Sequence, residues 1–167
     1  MGLSGVGKST IGRRLAATLG MPFRDADVEV ETAAGRPIPE IFEHYGEQAF
    51  RDGERRVIAR LLTEPPHVLA TGGGAFMNAE TRALIKEKAV SVWLKADVEV
   101  LARRVARKEN RPLLAGKDPI DVLTAQARDR YPVYAEADIT VETGDTPHQV
   151  AVDAIVQALS ARAGAEA

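Results

Sequence analysis

The 167-residue sequence has no cysteine, a net charge of only −2 and no long apolar run. Without cysteine the chain forms no disulfide and no thiolate zinc site, which fits a reducing cytoplasm. The small net charge provides no general attraction to nucleic acid or to an anionic membrane. No apolar stretch approaches the roughly 18 residues of a membrane span, and glycines and a lysine interrupt the amino terminus, so we predict no signal peptide. We therefore expect a cytoplasmic protein that binds neither nucleic acid nor membranes.

The residues that are present suit one compact domain. Apolar residues make up 45% of the chain, and short apolar stretches alternate with helical patterns. We predict strands near residues 22–25, 68–71, 90–94 and 137–141. Strands that alternate with helices indicate an α/β domain with a short parallel sheet covered by helices on both sides, a three-layer arrangement. Ligands of such sheets bind beyond the carboxyl ends of the strands.

The helical segments predict the internal organisation of this domain, residues 1–167. Residues 9–19 and 79–88 read as helices, and another helix ends near Arg130. Residues 28–62 form a mostly helical region that Gly35, Pro37, Pro39 and Gly46 interrupt, with the longest helix near 47–62. Residues 108–119 form a polar connection that contains glycine and proline.

A complete phosphate-binding loop lies at the start of the chain. Residues 2–9, GLSGVGKS, match the pattern G-x-x-x-x-G-K-[ST]. The glycines let backbone N–H groups turn towards phosphate oxygens, and the following helix adds its positive end. Lys8 can reach the β- and γ-phosphates, and the Ser9 hydroxyl can bind Mg²⁺. The alternative, a glycine-rich turn with a solvated Lys8, is disfavoured by the helical pattern directly behind the motif.

Two carboxylates follow the next predicted strand, in the sequence Asp25-Ala26-Asp27. One of them could hold water on Mg²⁺, and the other could accept a proton from a substrate hydroxyl. The alternative is a pair of solvated loop acids.

Arg51 and Glu54, in the sequence FRDGE, are three residues apart and therefore share one helix face. An ion pair between them would hold the guanidinium group so that its remaining donors could bind a carboxylate in a bidentate way. An ordinary surface ion pair is the alternative.

Three glycines, Gly72, Gly73 and Gly74, follow the predicted strand at 68–71. They would let the backbone approach a ligand closely, although a plain turn would also explain them.

Farther along, residues 103–119 hold six basic residues and two acidic ones. This segment could form a mobile lid, about residues 107–119, that closes over ATP and brings Arg111 to the transferring phosphoryl group; otherwise it is a solvated basic loop.

The sequence resembles the shikimate kinase family over essentially its whole length. The matching stretches are GLSGVGKST, DAD, FRDGE, ATGGGA, RPLLAG and RYPVY, in the family's order and spacing. The resemblance implies a P-loop kinase with a helical substrate-binding region and a lid. It also implies transfer of phosphate from ATP to the 3-hydroxyl of shikimate, with Mg²⁺, in aromatic amino-acid biosynthesis. We expect a monomer.

The resemblance assigns roles to individual residues. The implied catalytic residues are Lys8, Asp27 and Arg111. The implied metal site consists of Ser9 and, through water, Asp25. The implied ATP site consists of Gly5, Val6, Gly7, Lys8, Ser9, Thr10, Arg104, Arg111 and Pro147. The implied shikimate site consists of Asp27, Arg51, Glu54, Gly72, Gly73, Gly74 and Arg130. The three histidines, His44, His67 and His148, match no site and are predicted to lie on the surface.

Only Met1 precedes the phosphate loop, whereas the resemblance places a strand there, in the middle of the sheet. We expect residues upstream of Met1 in the natural gene product to form this strand. Without it, neighbouring strands would stay unpaired and the loop would fray like a free terminus. Two alternatives to shikimate kinase remain: another small P-loop kinase, such as a gluconate or nucleotide kinase, and a nucleotide-binding regulatory module without turnover.

Overall fold

The computed structural model describes residues 1–107 and 116–166. Its elements in chain order are α1 (Lys8–Leu19), β1 (Phe23–Asp25), α2 (Ala26–Ala34), α3 (Ile38–Leu61), β2 (Val68–Ala70), a 3₁₀ turn (Ala75–Met77), α4 (Ala79–Lys88), β3 (Val92–Lys95), α5 (Val98–Ala106), α6 (Pro119–Tyr134), β4 (Ile139–Glu142) and α7 (His148–Ala165). No helix in the described ranges is long and apolar enough to cross a membrane.

The strands form two parallel pairs. In the first pair β1 lies beside β2, with Phe23 opposite Val68. In the second pair β3 lies beside β4, with Val92 opposite Ile139. The predicted parallel arrangement with intervening helices is therefore confirmed, and β1 and β2 both end close to the predicted site residues.

The two pairs are not bonded to each other in the part of the chain that the structure describes. Met1 is bonded to the second pair: its amino group donates to the Val92 carbonyl at 2.8 Å, and its carbonyl accepts from the Leu94 N–H at 2.9 Å. These two bonds hold Met1, the residue before the phosphate loop, against β3, so the structure does not show the free start that we expected.

Three apolar clusters hold the elements together, and the smallest consists of Ala26, Ile58 and Ala75. The largest cluster joins Leu3 and Val6 of the phosphate loop to residues of α1, β3, β4 and α5–α7. Another cluster lies in the helical region predicted for residues 28–62 and packs α2 against α3 through Val30, Ile41 and Phe50. The phosphate loop is thus packed into the main core, and the helical region has a core of its own.

The helices differ from their predicted bounds at two places. Gly46 breaks α3 as predicted, with φ 82° and ψ 172°, so the part from 47 to Leu61 agrees with the helix predicted near 47–62. The difference is a further helical part that precedes Gly46 and begins at Ile38. Helix α6 continues through Pro132 to Tyr134, beyond the end predicted near Arg130. Proline disrupts a helix by removing an N–H donor. Here the extra turn is held by Tyr134, which is fully buried, and by Tyr131, whose hydroxyl donates to the Ala96 carbonyl at 2.8 Å.

Candidate active site

The phosphate loop joins Met1 to the first turn of α1. Gly5 and Gly7 have φ values of +87° and +94°, a conformation that residues with side chains rarely adopt. The side chain of Val6, between them, is fully buried in the core, so only its backbone is available to a ligand. The Lys8 ammonium group donates to the carbonyls of Gly2 and Leu3, at 2.8 and 3.0 Å. The loop therefore has the backbone shape that its motif predicts.

Ser9 and Asp25 meet at the end of this loop where α1 begins. The Ser9 hydroxyl donates to Asp25 Oδ2 at 2.8 Å, and Asp25 Oδ1 caps α2 by accepting from the Asp27 N–H at 3.0 Å. A hydroxyl beside a carboxylate is a hard oxygen pair that suits Mg²⁺. No group of three or more acidic or histidine side chains with metal-site spacing exists among the described residues. These residues therefore fit an ion bound mainly by phosphate and water.

Asp27 lies one residue inside α2 and faces the same cavity as Lys8 and Arg51. Desolvation raises the pKa of its carboxyl group, and the neighbouring Asp25 raises that pKa further, while Lys8 and Arg51 act in the opposite direction. The side chain still reaches solvent through the open cavity. A carboxylate with a raised pKa is a better proton acceptor near neutral pH than an ordinary aspartate.

Arg51 and Glu54 form the predicted ion pair, with Arg51 Nη1 and Glu54 Oε1 separated by 2.9 Å. Glu54 is only 3% exposed, so this is not an ordinary surface pair. Its other oxygen, Oε2, is buried without a hydrogen-bond partner among the described residues, and burial raises the pKa of this carboxyl group. Oε2 lies next to Gly72 and could accept a hydrogen bond from a ligand hydroxyl.

The glycine triplet makes room for two arginines. A Cβ atom on Gly74 would lie 2.5 Å from Arg51 Nη1, and one on Gly73 would lie 2.7 Å from Arg130 Nη1. None of the three glycines has a positive φ, so close approach rather than turn geometry requires them. The close approach in the structure is therefore to the protein's own guanidinium groups, whereas the sequence predicted an approach to a ligand.

One cavity of about 740 Å³ brings most predicted site residues together. The predicted residues in its wall are Gly5, Gly7, Lys8, Ser9, Thr10, Asp27, Arg51, Glu54, Gly72, Gly73, Gly74, Arg104 and Arg130. Asp25 lies behind Ser9, the Val6 side chain faces the core, and Pro147 is exposed at the start of α7. Arg111 lies outside the described residues, as does most of the proposed lid.

Arg104 connects the phosphate loop to the segment before α7. Its guanidinium group donates to the Gly5 carbonyl at 3.3 Å and to the Gly144 carbonyl. The same side chain lines the cavity, together with Arg107. Arg104 is thus placed beside the loop that would hold the phosphates of a nucleotide, on the side where β4 ends.

The sequence patterns did not indicate Tyr134, which lies behind the glycine triplet, or several residues of the cavity wall. Tyr134 donates its hydroxyl to the Gly73 carbonyl and lies near Arg130, so it holds the glycine triplet and α6 together. The stretch RYPVY was its only sequence signal. His148, predicted to be a surface residue without a site, lines the cavity instead. Its position depends on how α7 packs beside the phosphate loop, which no local pattern reveals. The remaining missed wall residues are Ser4, Ile38, Phe42, Phe50, Arg107 and Gln126.

Comparison with known families and sequences supports one assignment. Residues 4–160 match the family described as shikimate kinase. The chain is 77% identical over 159 residues to a shikimate kinase of Caulobacter vibrioides, covering 95% of this chain and 80% of that protein. It is 58% identical over 161 residues to a shikimate kinase of Bradyrhizobium diazoefficiens, covering 96% of this chain and 78% of that protein.

A solved structure shares the same fold. The shikimate kinase from Acinetobacter baumannii in complex with shikimate superposes with a TM-score of 0.91 at 39% sequence identity. The match covers 96% of this chain and 90% of that one. The predicted P-loop kinase fold is therefore confirmed.

Proposed function

Because this chain belongs to the shikimate kinase family, we propose that it transfers the γ-phosphate of ATP to the 3-hydroxyl of shikimate. The observation that carries the proposal is one shared cavity. A phosphate loop with Lys8 lines one part of it, the paired Arg51 and Glu54 line another, and Asp27 lines it as well. A phosphate donor and a small carboxylate acceptor could therefore meet within reach of a carboxylate base. The product would enter aromatic amino-acid biosynthesis.

The acceptor would be held through its carboxylate. Arg51 and Arg130 offer guanidinium groups that bind a carboxylate through paired hydrogen bonds. Glu54 accepts from Arg51 and limits the directions in which the guanidinium group can point. The unpartnered Glu54 Oε2 supports a further contact with a hydroxyl of the substrate. The glycine triplet leaves space beside both arginines for a flat ring.

Asp27 would then act as the base. The acceptor oxygen attacks the γ-phosphorus as its proton passes to Asp27, the bond from this phosphorus to the β,γ-bridging oxygen breaks, and ADP leaves with that oxygen. The raised pKa of Asp27 favours this proton transfer. Lys8 and the loop amides stabilise the developing negative charge. Arg111, which lies outside the described residues, keeps its proposed role at the transferring phosphoryl group.

We propose that Mg²⁺ accompanies ATP, with the Ser9 hydroxyl as a direct ligand and Asp25 as a partner through water. The 2.8 Å contact between these side chains supports the pairing. When bound, the ion neutralises phosphate charge during the transfer. Thr10, Arg104 and Pro147 complete the proposed nucleotide site.

The proposed acceptor is tested by ATP turnover with shikimate, gluconate and nucleoside monophosphates offered separately. We expect turnover with shikimate only, and a strict preference for another acceptor would contradict the proposal. Measurable ATP binding without transfer to any acceptor would instead favour a regulatory module. The presence of Lys8, Asp27 and Arg111 in the sequence argues against that alternative.

A monomeric state and a cytoplasmic location are further parts of the proposal. Analytical ultracentrifugation at several protein concentrations tests the first, since a monomer keeps one sedimentation coefficient. Fractionation of the source cells tests the second. We propose no nucleic-acid or membrane partner, in keeping with the net charge of −2.

A further inference from the structure

The two arginines proposed to bind the acceptor carboxylate are held in different ways. Arg51 is paired with Glu54, at 2.9 Å between Nη1 and Oε1, so a neighbouring negative charge offsets its own. Arg130 lies half-buried on α6 at the cavity wall and forms no ion pair with any described residue. An arginine without a carboxylate partner keeps its full charge for a bound anion, but another group has to fix its direction.

Tyr134 is the group that meets Arg130. The two residues are four positions apart on α6 and therefore share one face of the helix. Tyr134 is fully buried, and its hydroxyl donates to the Gly73 carbonyl. A Cβ atom on Gly73 would lie 2.7 Å from Arg130 Nη1 and 3.2 Å from the Tyr134 hydroxyl oxygen, so both side chains reach the same point of the glycine triplet.

The hydroxyl of Tyr134 links Arg130 to Gly73. A phenol has one proton to donate, and here the Gly73 carbonyl accepts it, so the hydroxyl can only accept from a further partner. A guanidinium group only donates. Burial raises the pKa of the Tyr134 hydroxyl, and the charge of Arg130 and a hydrogen bond with it act in the opposite direction. A chain of hydrogen bonds therefore runs from Arg130 through Tyr134 to Gly73, and each bond in such a chain polarises the next.

Two other aromatic rings hold the ring of Tyr134. The ring centroid of Trp93 on β3 lies 5.8 Å from that of Tyr134, and the centroid of Tyr131 lies 6.3 Å from it. Trp93 and Tyr131 also contact each other edge to face, at 5.0 Å. Tyr131 is bonded to the residue after β3, since its hydroxyl donates to the Ala96 carbonyl at 2.8 Å. Packing therefore places the Tyr134 hydroxyl before any ligand binds.

A separate contact connects α6 to the segment that follows the glycine triplet. Arg82 of α4 donates to the carbonyls of Phe76 and Met77, at 2.9 and 3.3 Å. Its Nε lies 3.5 Å from Oε2 of Glu136, just beyond the end of α6. Loss of the Tyr134 hydroxyl alone leaves this connection in place, so we expect the chain to fold without that hydroxyl.

We propose that Tyr134 is a positioning residue for the acceptor: its hydroxyl holds the Arg130 guanidinium group in the direction that binds the acceptor carboxylate. The inference deepens the proposed function and rests on shikimate as the acceptor. A neutral phenol orients a guanidinium group without offsetting its charge, whereas a carboxylate would do both. Glu54 offsets the charge of Arg51, and Arg130 supplies the positive charge that the acceptor carboxylate requires.

Steady-state kinetics of Tyr134→Phe test this role, because phenylalanine keeps the buried ring and removes only the hydroxyl. We expect the KM for shikimate to rise about 5–10-fold, the loss of about one hydrogen bond. The value of kcat and the KM for ATP should stay nearly unchanged. Such a result is expected when the lost interaction is equally strong in the bound substrate and in the transition state.

Tyr131→Phe is the matched control. It removes a hydroxyl from the same helix and the same group of aromatic rings, and it takes the donor away from the Ala96 carbonyl as Tyr134→Phe does from Gly73. We expect both variants to lower the melting temperature to a similar extent, but only Tyr134→Phe to raise the KM for shikimate. Equal KM values for shikimate in the two variants would overturn the proposal.

A double-mutant cycle shows whether Tyr134 acts through Arg130. The value of kcat/KM for shikimate would be compared among the unmodified chain, Tyr134→Phe, Arg130→Ala and the double variant. We expect loss of the hydroxyl to lower kcat/KM about 5–10-fold when Arg130 is present, and to have almost no effect when Arg130 is absent. If the two losses multiply in full, Tyr134 acts independently of Arg130 and the proposal is wrong.

NMR of the arginine guanidinium groups tests the contact without any substrate. Rotation about the bonds between Cζ and the Nη atoms slows when hydrogen bonds hold the group in one direction. We expect slow rotation at Arg130 in the unmodified chain and fast rotation in Tyr134→Phe. Arg128, which is exposed on the same helix, should rotate fast in both chains and is the internal reference.

Equal rotation of Arg130 in the unmodified chain and in Tyr134→Phe would overturn the proposal, because the hydroxyl would then not hold the guanidinium group. Absence of shikimate turnover in the unmodified chain would contradict the proposed function instead. The NMR comparison contains no acceptor, so it separates these two failures.

Discussion

The guanidinium group of Arg51 lies against Gly74, so closely that a Cβ atom on this glycine would be 2.5 Å from Arg51 Nη1 and 2.6 Å from its Cζ. Arg51 is therefore held on one side by Glu54 and on the other by bare backbone. A glycine at position 74 is as much a part of the proposed carboxylate site as the arginine itself.

Gly74→Ala should displace the Arg51 side chain, because a methyl group and the guanidinium group cannot share this space. We expect the KM for shikimate to rise about tenfold or more, the loss of roughly one charged hydrogen bond. The KM for ATP should barely change. Steady-state kinetics with each substrate varied in turn provide the measurement.

Gly53→Ala is the control for this prediction. Gly53 lies within α3 and nothing is within 4 Å of its hypothetical Cβ atom, so alanine should fit and slightly stabilise the helix. If Gly74→Ala and Gly53→Ala have the same KM for shikimate, the close contact with Arg51 has no functional role.

Asp27→Asn should keep the shape of the site and remove the base. We expect kcat to fall about 10²–10⁴-fold, the range typical of general-base loss, while shikimate still binds. Asp153→Asn, at an exposed position on α7, should have normal turnover. Near-normal kcat in Asp27→Asn would show that another group takes the proton.

The raised pKa of Asp27 also predicts a pH dependence. A carboxyl group accepts a proton only when ionised, so turnover should fall as the pH drops through this pKa, at a higher pH than an ordinary aspartate would give. The acidic limb of the kcat profile measures it. An acidic limb at the pKa of a solvated aspartate would show that the Asp27 carboxyl group is not desolvated in the cavity.

The chain that begins at Met1 should lose stability as the pH falls from about 8 to about 5. The pKa of its amino group is 8.0 when solvated and about 5 when buried, so the unfolded chain binds the additional proton in this window. Three pKa units correspond to a loss on the order of 4 kcal/mol. Urea unfolding at a series of pH values measures the effect.

Nα-acetylation isolates the contribution of this amino group, because it removes the charge and leaves all other titrating groups in place. The difference in free energy of unfolding between the acetylated and free chains should grow as the pH falls from about 8 to about 5. A constant difference across this window would show that the Met1 amino group is not buried in solution.

Local sequence patterns predicted those parts of the site that are formed by residues close together in the sequence. The phosphate loop follows from glycine spacing, and the pairing of Arg51 with Glu54 follows from their helical separation of three residues. The order of strands and helices likewise predicted a parallel arrangement. In each case the residues that interact are separated by a spacing, or the elements follow an order, that can be read directly from the sequence.

Contacts between distant segments could not be predicted in this way. Tyr134 reaches Gly73 across 61 positions of sequence, and its burial helps α6 to continue through Pro132, where proline normally ends a helix. His148 meets Gly7 only because α7 packs beside α1. Such contacts depend on how elements pack, so a residue's own neighbours in the sequence do not reveal them.

A double-mutant cycle on the enzyme and its substrate tests whether Arg51 binds the carboxylate of shikimate in the cavity where ATP reacts. The value of kcat/KM would be measured for shikimate and its methyl ester, each with the unmodified chain and with Arg51→Ala. We expect the ester and the mutation each to lower kcat/KM by about 10–100-fold, and we expect the mutation to have little further effect on the ester. If the losses in kcat/KM from the ester and from Arg51→Ala multiply in full, Arg51 does not act through the carboxylate. Phosphorylation of the ester as efficiently as shikimate would also contradict the proposed contact.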